Sequence, residues 1–543
     1  MPTTVREGGP SPASGSADSV VGDMYAARTA ASHPDKPAII MVPSGETVTF
    51  AEYEAMANRI AHLMREQGLR RGDHIAILSS NNPRMLEIEG AADRTGLFYT
   101  LINSYLGPDE VAYIVGNCKA RMFFCSADKL DVARRAAATC PAVERLVVTG
   151  TSNGSGGWES LDAMVDTYPS TPVDDERLGA AMLYSSGTTG QPKGILRALP
   201  DVEPAEALAV MDFVRQLFGF SEGMTYLNPA PLYHSAPQSS VAASLRLGST
   251  VVVMEHFDPE GWLSAVERYR ATHCQMVPTM FSRLLRLPLE VRDRYDVSSL
   301  QRIVHAAAPC PIPVKKAMID WLGPIITEYY GATEANGFTF CDSAEWLAHP
   351  GTVGKAVLGE VVIRDEDGEE CPQGTDGTVW FRGATNFEYF EDPAKTAESR
   401  DEGGNMSTVG DVGHVDGDGW LFLTDRKSYM IISGGVNIYP QETENLLSTH
   451  PGVSDVAVIG APDPDMGEKV VAVVEPAPGY VAGPQLAAEL IRFSREHLAH
   501  FKCPKQVDFV DDLPRLPTGK LYKRLVRDRY WKKGEGEVSV PSS

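Results

Sequence analysis

Short apolar runs recur at residues 122–124, 146–148, 251–254, 275–277 and 302–304, separated by stretches of helical periodicity, and that rhythm restricts the chain to an α/β fold with mostly parallel sheets. One such unit can be read residue by residue. Tyr53, Met56, Ala57, Ile60, Ala61 and Met64 recur at helical spacing, Gly68 stands where a left-handed residue ends a helix, and the strand-like run HIAILSS begins at His74. At 543 residues the chain exceeds the size at which a single core stops growing, so at least two domains are expected. The boundary fits best at LTDRKSYM, residues 423–430. Upstream, 379–382 and 420–423 read as short strands joined by Gly and Asp turns. Downstream, an α+β unit begins with the helix-like QETENLLSTH, the strand-like runs 455–459 and 469–474, and a helix-like run over 485–497. The expected organisation is a large multi-subdomain N-terminal domain over 1–425 and a small, mobile C-terminal domain over 426–543. The Ser-, Gly- and Pro-rich residues 1–18 and the tail after Lys533 read as disordered, and no internal repeat stands out.

Composition narrows the partners. The formal net charge of −23 disfavours nucleic acid or an anionic membrane surface, since either selects a basic patch, and any polyanionic ligand must meet a local cationic site. The eight cysteines (Cys118, Cys125, Cys140, Cys274, Cys310, Cys341, Cys371, Cys503) show neither a C-x-x-C pair nor metal-ligand spacing and read as reduced, structural thiols. The N-terminus lacks an apolar core of signal-peptide length and no run approaches the length of a membrane span, so no stable membrane insertion is expected and the cytoplasm is the expected compartment.

A local cationic site is offered by YSSGTTGQPKG, residues 184–194. Gly187, Gly190 and Gly194 let the backbone turn tightly, while the hydroxyls of Ser185, Ser186, Thr188 and Thr189 and the ammonium of Lys193 can donate to phosphate oxygens. The Walker A pattern is not met, because Pro192 precedes the lysine and Gly194 follows it where Ser or Thr is required. On these residues alone, a phosphate-handling loop and an ordinary surface loop both stay open.

Four further patterns follow in order: PLYHSAP from Pro231, EYYGATEANG from Glu328, STVGDVGHVDGDGWLFLTDRKSYMIISGGVNIYP from Ser407, and LPRLPTGK from Leu513. With the loop, they resemble the adenylate-forming superfamily of acyl-CoA synthetases, peptide-synthetase adenylation domains and beetle luciferases, over roughly residues 24–530. HAAAPCPIPVKKAMIDWLGPIITEYYGATE is most similar to bacterial acyl-CoA synthetases of the fatty-acid type. The resemblance implies attack of a carboxylate on the α-phosphate of ATP to give an acyl-adenylate and pyrophosphate, then transfer of the acyl group to coenzyme A. ATP/AMP, Mg2+ and coenzyme A are the implied cofactors.

On that resemblance, Thr188, Lys193 and their neighbours Ser185, Ser186, Gly187, Thr189 and Gly190 hold the phosphates together with Thr333. Glu334 holds Mg2+, a hard cation that prefers carboxylate and phosphate oxygens. Tyr330, followed by Gly331, stacks on the adenine against a wall of Ala307, Ala308 and Pro309, and Asp411 and Arg426 reach the ribose. Lys520 bridges the acyl carboxylate and the α-phosphate, so the small domain must swing over the large one about a hinge near Ser428. A further rotation makes Gly434 and Gly435 border a tunnel for the pantetheine arm of coenzyme A, with Lys427, Lys502 and Lys505 as candidates for its phosphates. His234 shapes the acyl site, which Ser235, Ala236, Ala306, Ala332 and Ala335 line; their small side chains leave room for a bulky or long apolar acid. Plain alternatives stand beside these roles: a surface carboxylate for Glu334, a turn residue for Asp411, a solvated charge for Lys520, a turn for the glycine pair and a core histidine for His234.

The expected function is an acid:CoA ligase, with a small-molecule carboxylic acid, ATP and CoA as partners. One alternative is a stand-alone adenylation enzyme loading a separate carrier protein. Amino-acid activation is disfavoured, because Ser235 stands where that subgroup places Asp. A luciferase-type oxidoreductase would share the nucleotide motifs, whereas a catalytically silent protein is disfavoured by the presence of Lys193, Glu334, Asp411, Arg426 and Lys520. A last alternative makes thioester only from acyl-adenylate supplied by a partner adenylating enzyme. It rests on three departures from the nearest patterns: Ala335 where glycine is usual, Val409 for the threonine of T-G-D, and Tyr429 for an aspartate by the hinge. A homodimer is the remaining assembly considered.

Overall fold

The computed structural model describes residues 25–185, 192–206, 208–383, 386–426, 429–434, 436–515 and 521–531. Two large sheets carry the N-terminal part. The first is parallel throughout and runs, in spatial order, Glu159–Ser160, Arg145–Thr149, Ala120–Ser126, His74–Leu78, Phe98–Ile102 and Ala180–Ala181. The second has nine strands. Its middle, from Ile326–Gly331 through Arg302–His305, His273–Met276, Thr225–Asn228 and Thr250–Met254 to Pro37–Val42, is parallel, and antiparallel strands close both edges. Four of the five apolar runs fall wholly in these strands and 275–277 ends one residue past Met276; burial on both faces makes a parallel strand read as a continuous apolar stretch.

The helix expected from Tyr53 is Phe50–Glu66. A reciprocal capping box between Thr49 and Glu52 starts it, and Gly68 at φ +79° follows its end. Phe50, Ile60, Met85, Leu86, Val241 and Leu245, from the helices Phe50–Glu66, Pro83–Arg94 and Ser235–Arg246, share one core with Ile75 and Ile77 of the first sheet and Ile39, Tyr226 and Val251 of the second. The two sheets are therefore packed through common helices.

Three smaller sheets complete the chain. Leu183–Ser185, Lys193–Leu196 and Glu388–Tyr389 form an antiparallel trio. Glu360–Arg364, Gly377–Arg382, Asp411–Val415 and Leu421–Arg426 form an antiparallel sheet, with Met406–Ser407 beside it. The C-terminal sheet pairs Val453–Asp463 with Gly467–Pro476, flanked by Ile431–Ser433, Val436–Ile438 and Gln506–Phe509 and packed against the helices Pro440–Leu447, Pro484–His497 and Lys523–Trp531. The expected strands 455–459 and 469–474 are the middles of that long hairpin. All eight cysteines are free, and six of them, Cys118, Cys125, Cys140, Cys274, Cys341 and Cys503, are buried. Among the described residues no helix is long and apolar enough to cross a membrane.

Candidate functional site

In an open α/β sheet the crevice lies beyond the carboxyl ends of the strands. Here the relevant ends are those of Arg302–His305 and Ile326–Gly331, which pair with His305 opposite Glu328. A buried ionic cluster ties them. Lys315 Nζ donates to Glu328 Oε2 at 2.5 Å and lies 4.7 Å above the Trp346 ring, while His305 Nε2 is 3.4 Å from the same carboxylate oxygen. Burial pushes the Glu328 carboxyl pKa up, but His305 and Lys315 outweigh it and hold the group below its usual value. Burial lowers the His305 pKa, Glu328 pulls the other way and Lys315 adds to the lowering. The two loops that leave these strands, residues 306–309 and 332–335, start from a fixed base.

Next come the residues expected at the nucleoside. Tyr330 Oη donates to Asp411 Oδ2 at 2.7 Å, and the Tyr330 ring lies 6.0 Å from that of Phe381 at 28°. Asp411 is buried and stands opposite Arg426 in the strand pairing, so the three residues expected at adenine and ribose meet, although the Arg426 side chain lies outside the described residues. Ala307 and Pro309 are exposed and Ala308 half-buried beside them. Ala307 takes φ +75°, a left-handed turn that an L residue adopts at a cost.

Two of the residues expected at the phosphates, Ser185 and Lys193, belong to the antiparallel trio. Ser185 pairs with Lys193, so the two ends of the glycine-rich loop are fastened together; Ser186, Gly187, Thr188, Thr189 and Gly190 lie outside the described residues. Lys193 Nζ sits 4.8 Å from the centre of the Tyr389 ring, and Tyr389 Oη donates to Oε1 of the buried Glu334 at 2.9 Å. Burial and then Lys395 lower the Lys193 pKa, while Asp392, Glu334 and Glu398 oppose the shift. Arg197, just past the strand Lys193–Leu196, donates Nη2 to the Thr333 carbonyl at 2.5 Å. Surrounding protein lowers its pKa and Glu334 opposes the shift; the side chain keeps contact with solvent, so the guanidinium stays charged. Tyr389 and Arg197 were missed from the sequence. Among the described residues no group of three or more His, Cys, Asp or Glu could cage a metal. A divalent cation would therefore take Glu334 together with phosphate oxygens, and the hard carboxylate fits Mg2+ held in that way.

Of the residues expected at the acyl group, His234 stands at the N-cap of the helix that starts at Ser235, with its ring 4.5 Å from that of Tyr233. Ser235, Ala236 and Ala332 are half-buried, Ala306 is buried and Ala335 exposed. Gly434 has φ +60°, donates its N–H to Met466 O at 2.8 Å, and a Cβ there would lie 2.3 Å from Met466 Cε. The left-handed backbone at Gly434 favours glycine for a turn, which is compatible with both of its sequence readings. Lys502 is bound to Glu442 at 2.5 Å. Gly435, Lys427, the hinge residue Ser428 and Lys520 lie outside the described residues.

Ala335, where the nearest patterns have glycine, adopts φ +53° in a turn whose N–H bonds back to Ala332 O at 2.9 Å. That conformation costs an L residue about 1–2 kcal/mol, partly offset by the extra freedom glycine has when unfolded. Ala335→Gly is expected to raise the thermal midpoint slightly. A lower midpoint in a thermal melt would show that no strain resides there.

Two family models match the chain: AMP-binding enzyme over residues 26–390 and AMP-binding enzyme C-terminal domain over residues 442–520. A feruloyl-CoA synthase of Amycolatopsis sp is 35% identical over 500 residues, covering 90% of this chain and 94% of that protein. The fatty acid–[acyl-carrier-protein] ligase ScoC of Streptomyces coeruleorubidus is 31% identical over 517 residues, covering 92% and 94%. The structure of the anthranilate CoA ligase AuaEII in complex with anthranoyl-AMP superposes with a TM-score of 0.81 at 25% identity, over 94% of this chain and 97% of that one.

Proposed function

This chain belongs to the AMP-binding, adenylate-forming enzymes, and from that premise we propose that it is an acid:CoA ligase that activates a bulky or long apolar carboxylic acid as its acyl-adenylate. The observation that carries this reading is a pair of half-sites linked by residues 330–334: Tyr330 bonded to Asp411, and Glu334 held by Tyr389, whose ring Lys193 covers, with Arg197 on the Thr333 carbonyl. The first suits a nucleoside. The second sets cations beside a buried carboxylate, the arrangement a polyphosphate and its counter-ion require. Bound Mg2+ would neutralise phosphate charge, and Glu334 would hold it. Lys193 would bind the phosphates, Tyr389 keeps the Glu334 carboxylate oriented, and Asp411 would fix the ribose, aligning the α-phosphate with the incoming carboxylate. Lys520 would then bridge the two reacting anions. Thr188 and its loop would complete the phosphate cradle, with Gly434 and Gly435 on the path of coenzyme A.

For the acid, support comes from the small residues Ser235, Ala236, Ala306, Ala332 and Ala335, and from relatives named for feruloyl and fatty acyl groups. A second reading, transfer to a carrier protein, is favoured by the relative that acts on an acyl-carrier protein. The test is a panel of acids with ATP, Mg2+ and CoA in which pyrophosphate, AMP and thioester are each followed. An acid burying about 100 Å2 more apolar surface than acetate gains about 2.5 kcal/mol, roughly seventyfold in kcat/KM. Acetate as the best substrate would refute the pocket assignment. Pyrophosphate release without thioester for any acid would move the reading to a carrier protein.

A further inference from the structure

We propose that Arg197 binds the β- and γ-phosphates of ATP and stabilises the pyrophosphate as it departs, an assignment that rests on reading the site as an adenylation centre. The guanidinium lies one residue beyond the strand that begins at Lys193, and it is anchored by Nη2 on the carbonyl of Thr333, the residue before Glu334. It thus shares one wall of the crevice with Lys193 and faces the loop that carries Glu334. A guanidinium has five N–H donors, and the anchor uses one of them. Among the described residues Arg197 makes no ion pair with Glu334, whose Oε1 is instead held by Tyr389 Oη. The positive charge stays solvent-facing, next to a carboxylate that favours its ionised form. Planar forked donors of this kind suit phosphate oxygens better than the point charge of a lysine does.

The reaction needs such a group on that side. The acid's carboxylate oxygen forms a bond to the α-phosphorus, the bond from the α-phosphorus to the bridging oxygen breaks, and its electron pair stays on that oxygen as pyrophosphate leaves. No proton moves. Negative charge therefore accumulates on the β-phosphate during bond breaking, and a cation there helps the transition state more than the ground state. A purely structural Arg197 would only pin the 332–335 loop, and would then affect every ligand that touches the loop alike.

The experiment compares the full chain with Arg197→Ala and Arg197→Lys by calorimetric titration with ATP, inorganic pyrophosphate and AMP, alongside thioester formation from synthetic acyl-adenylate and CoA. In Arg197→Ala, ATP and pyrophosphate are expected to bind at least about tenfold more weakly, with AMP affinity and the thioester half-reaction within about twofold and Arg197→Lys recovering part of the loss. Equal weakening of ATP and AMP, or no change in ATP and pyrophosphate, would overturn the assignment. The two readings fail separately. A wild-type protein that binds ATP through Arg197 yet makes thioester from no acid sinks the proposed ligase and leaves this assignment standing. A working ligase indifferent to Arg197→Ala does the reverse.

Discussion

Lys520→Ala is expected to lower acyl-adenylate formation by about 10²–10³-fold while leaving thioester formation from pre-made acyl-adenylate within about twofold. The ammonium would sit between two anions, the acyl carboxylate and the α-phosphate, and would serve only the step that joins them. Its position lies outside the described residues, so the expectation rests on the PTGK pattern and on the C-terminal family match over residues 442–520. Lys520 and Lys193 stand in different domains of the proposed organisation, which makes adenylation depend on closure in a way that thioester formation need not share. The check is to run the two half-reactions separately on one preparation. Equal losses would mean that Lys520 supports the fold or binds nucleotide generally, and the division of labour would fall.

Glu334→Gln should act at the metal. Gln is nearly isosteric and keeps an acceptor for Tyr389 Oη, so the 2.9 Å bond and the buried packing can survive. What goes is the negative charge. Adenylation is expected to slow by about a hundredfold and to need at least about tenfold more Mg2+, since a hard cation loses its charged protein ligand. The sign of a control follows from the same charge count. Without Mg2+, ATP should bind the variant as well as or better than the wild type, because an anion next to Lys193 and Arg197 has been removed. An unchanged Mg2+ dependence, or weaker metal-free ATP binding with an unchanged melting midpoint, would show that Glu334 is not the metal ligand.

Much of this site was readable from the chain, for identifiable reasons. The parallel strands were visible because burial on both faces leaves apolar runs such as 251–254 with no polar alternation. Tyr330 and Asp411 were singled out as nucleoside-binding residues 81 apart in sequence, and they are hydrogen-bonded. Arg197 and Tyr389 were not singled out. Tyr389 joins the site on the strand Glu388–Tyr389, two residues long and too short for any periodicity, which pairs with Lys193–Leu196 from almost two hundred residues away, and Arg197 joins it only through a bond to the Thr333 carbonyl 136 residues on. The Lys315–Glu328–His305 cluster was equally hidden, because a charged residue that is buried and paired looks in sequence like a surface one. Gly434 carries a different lesson. The resemblance assigns its missing side chain to a tunnel, and φ +60° adds a second reason for glycine there, a left-handed turn that an L side chain adopts at a cost. At Ala335 the departure from pattern pointed to a real feature, a left-handed backbone carrying a methyl group.

That left-handed alanine beside Glu334 keeps one rival of the ligase reading alive, an enzyme that forms thioester from acyl-adenylate supplied by another protein. The measurement that separates the two takes one acid through both halves: pyrophosphate release from that acid plus ATP and Mg2+, and thioester formation from its synthetic adenylate plus CoA. A ligase that performs both steps gives acid-dependent pyrophosphate release and thioester formation at turnovers within about tenfold of each other. Efficient thioester formation from the adenylate with no acid-dependent pyrophosphate release, across the whole acid panel, would contradict it.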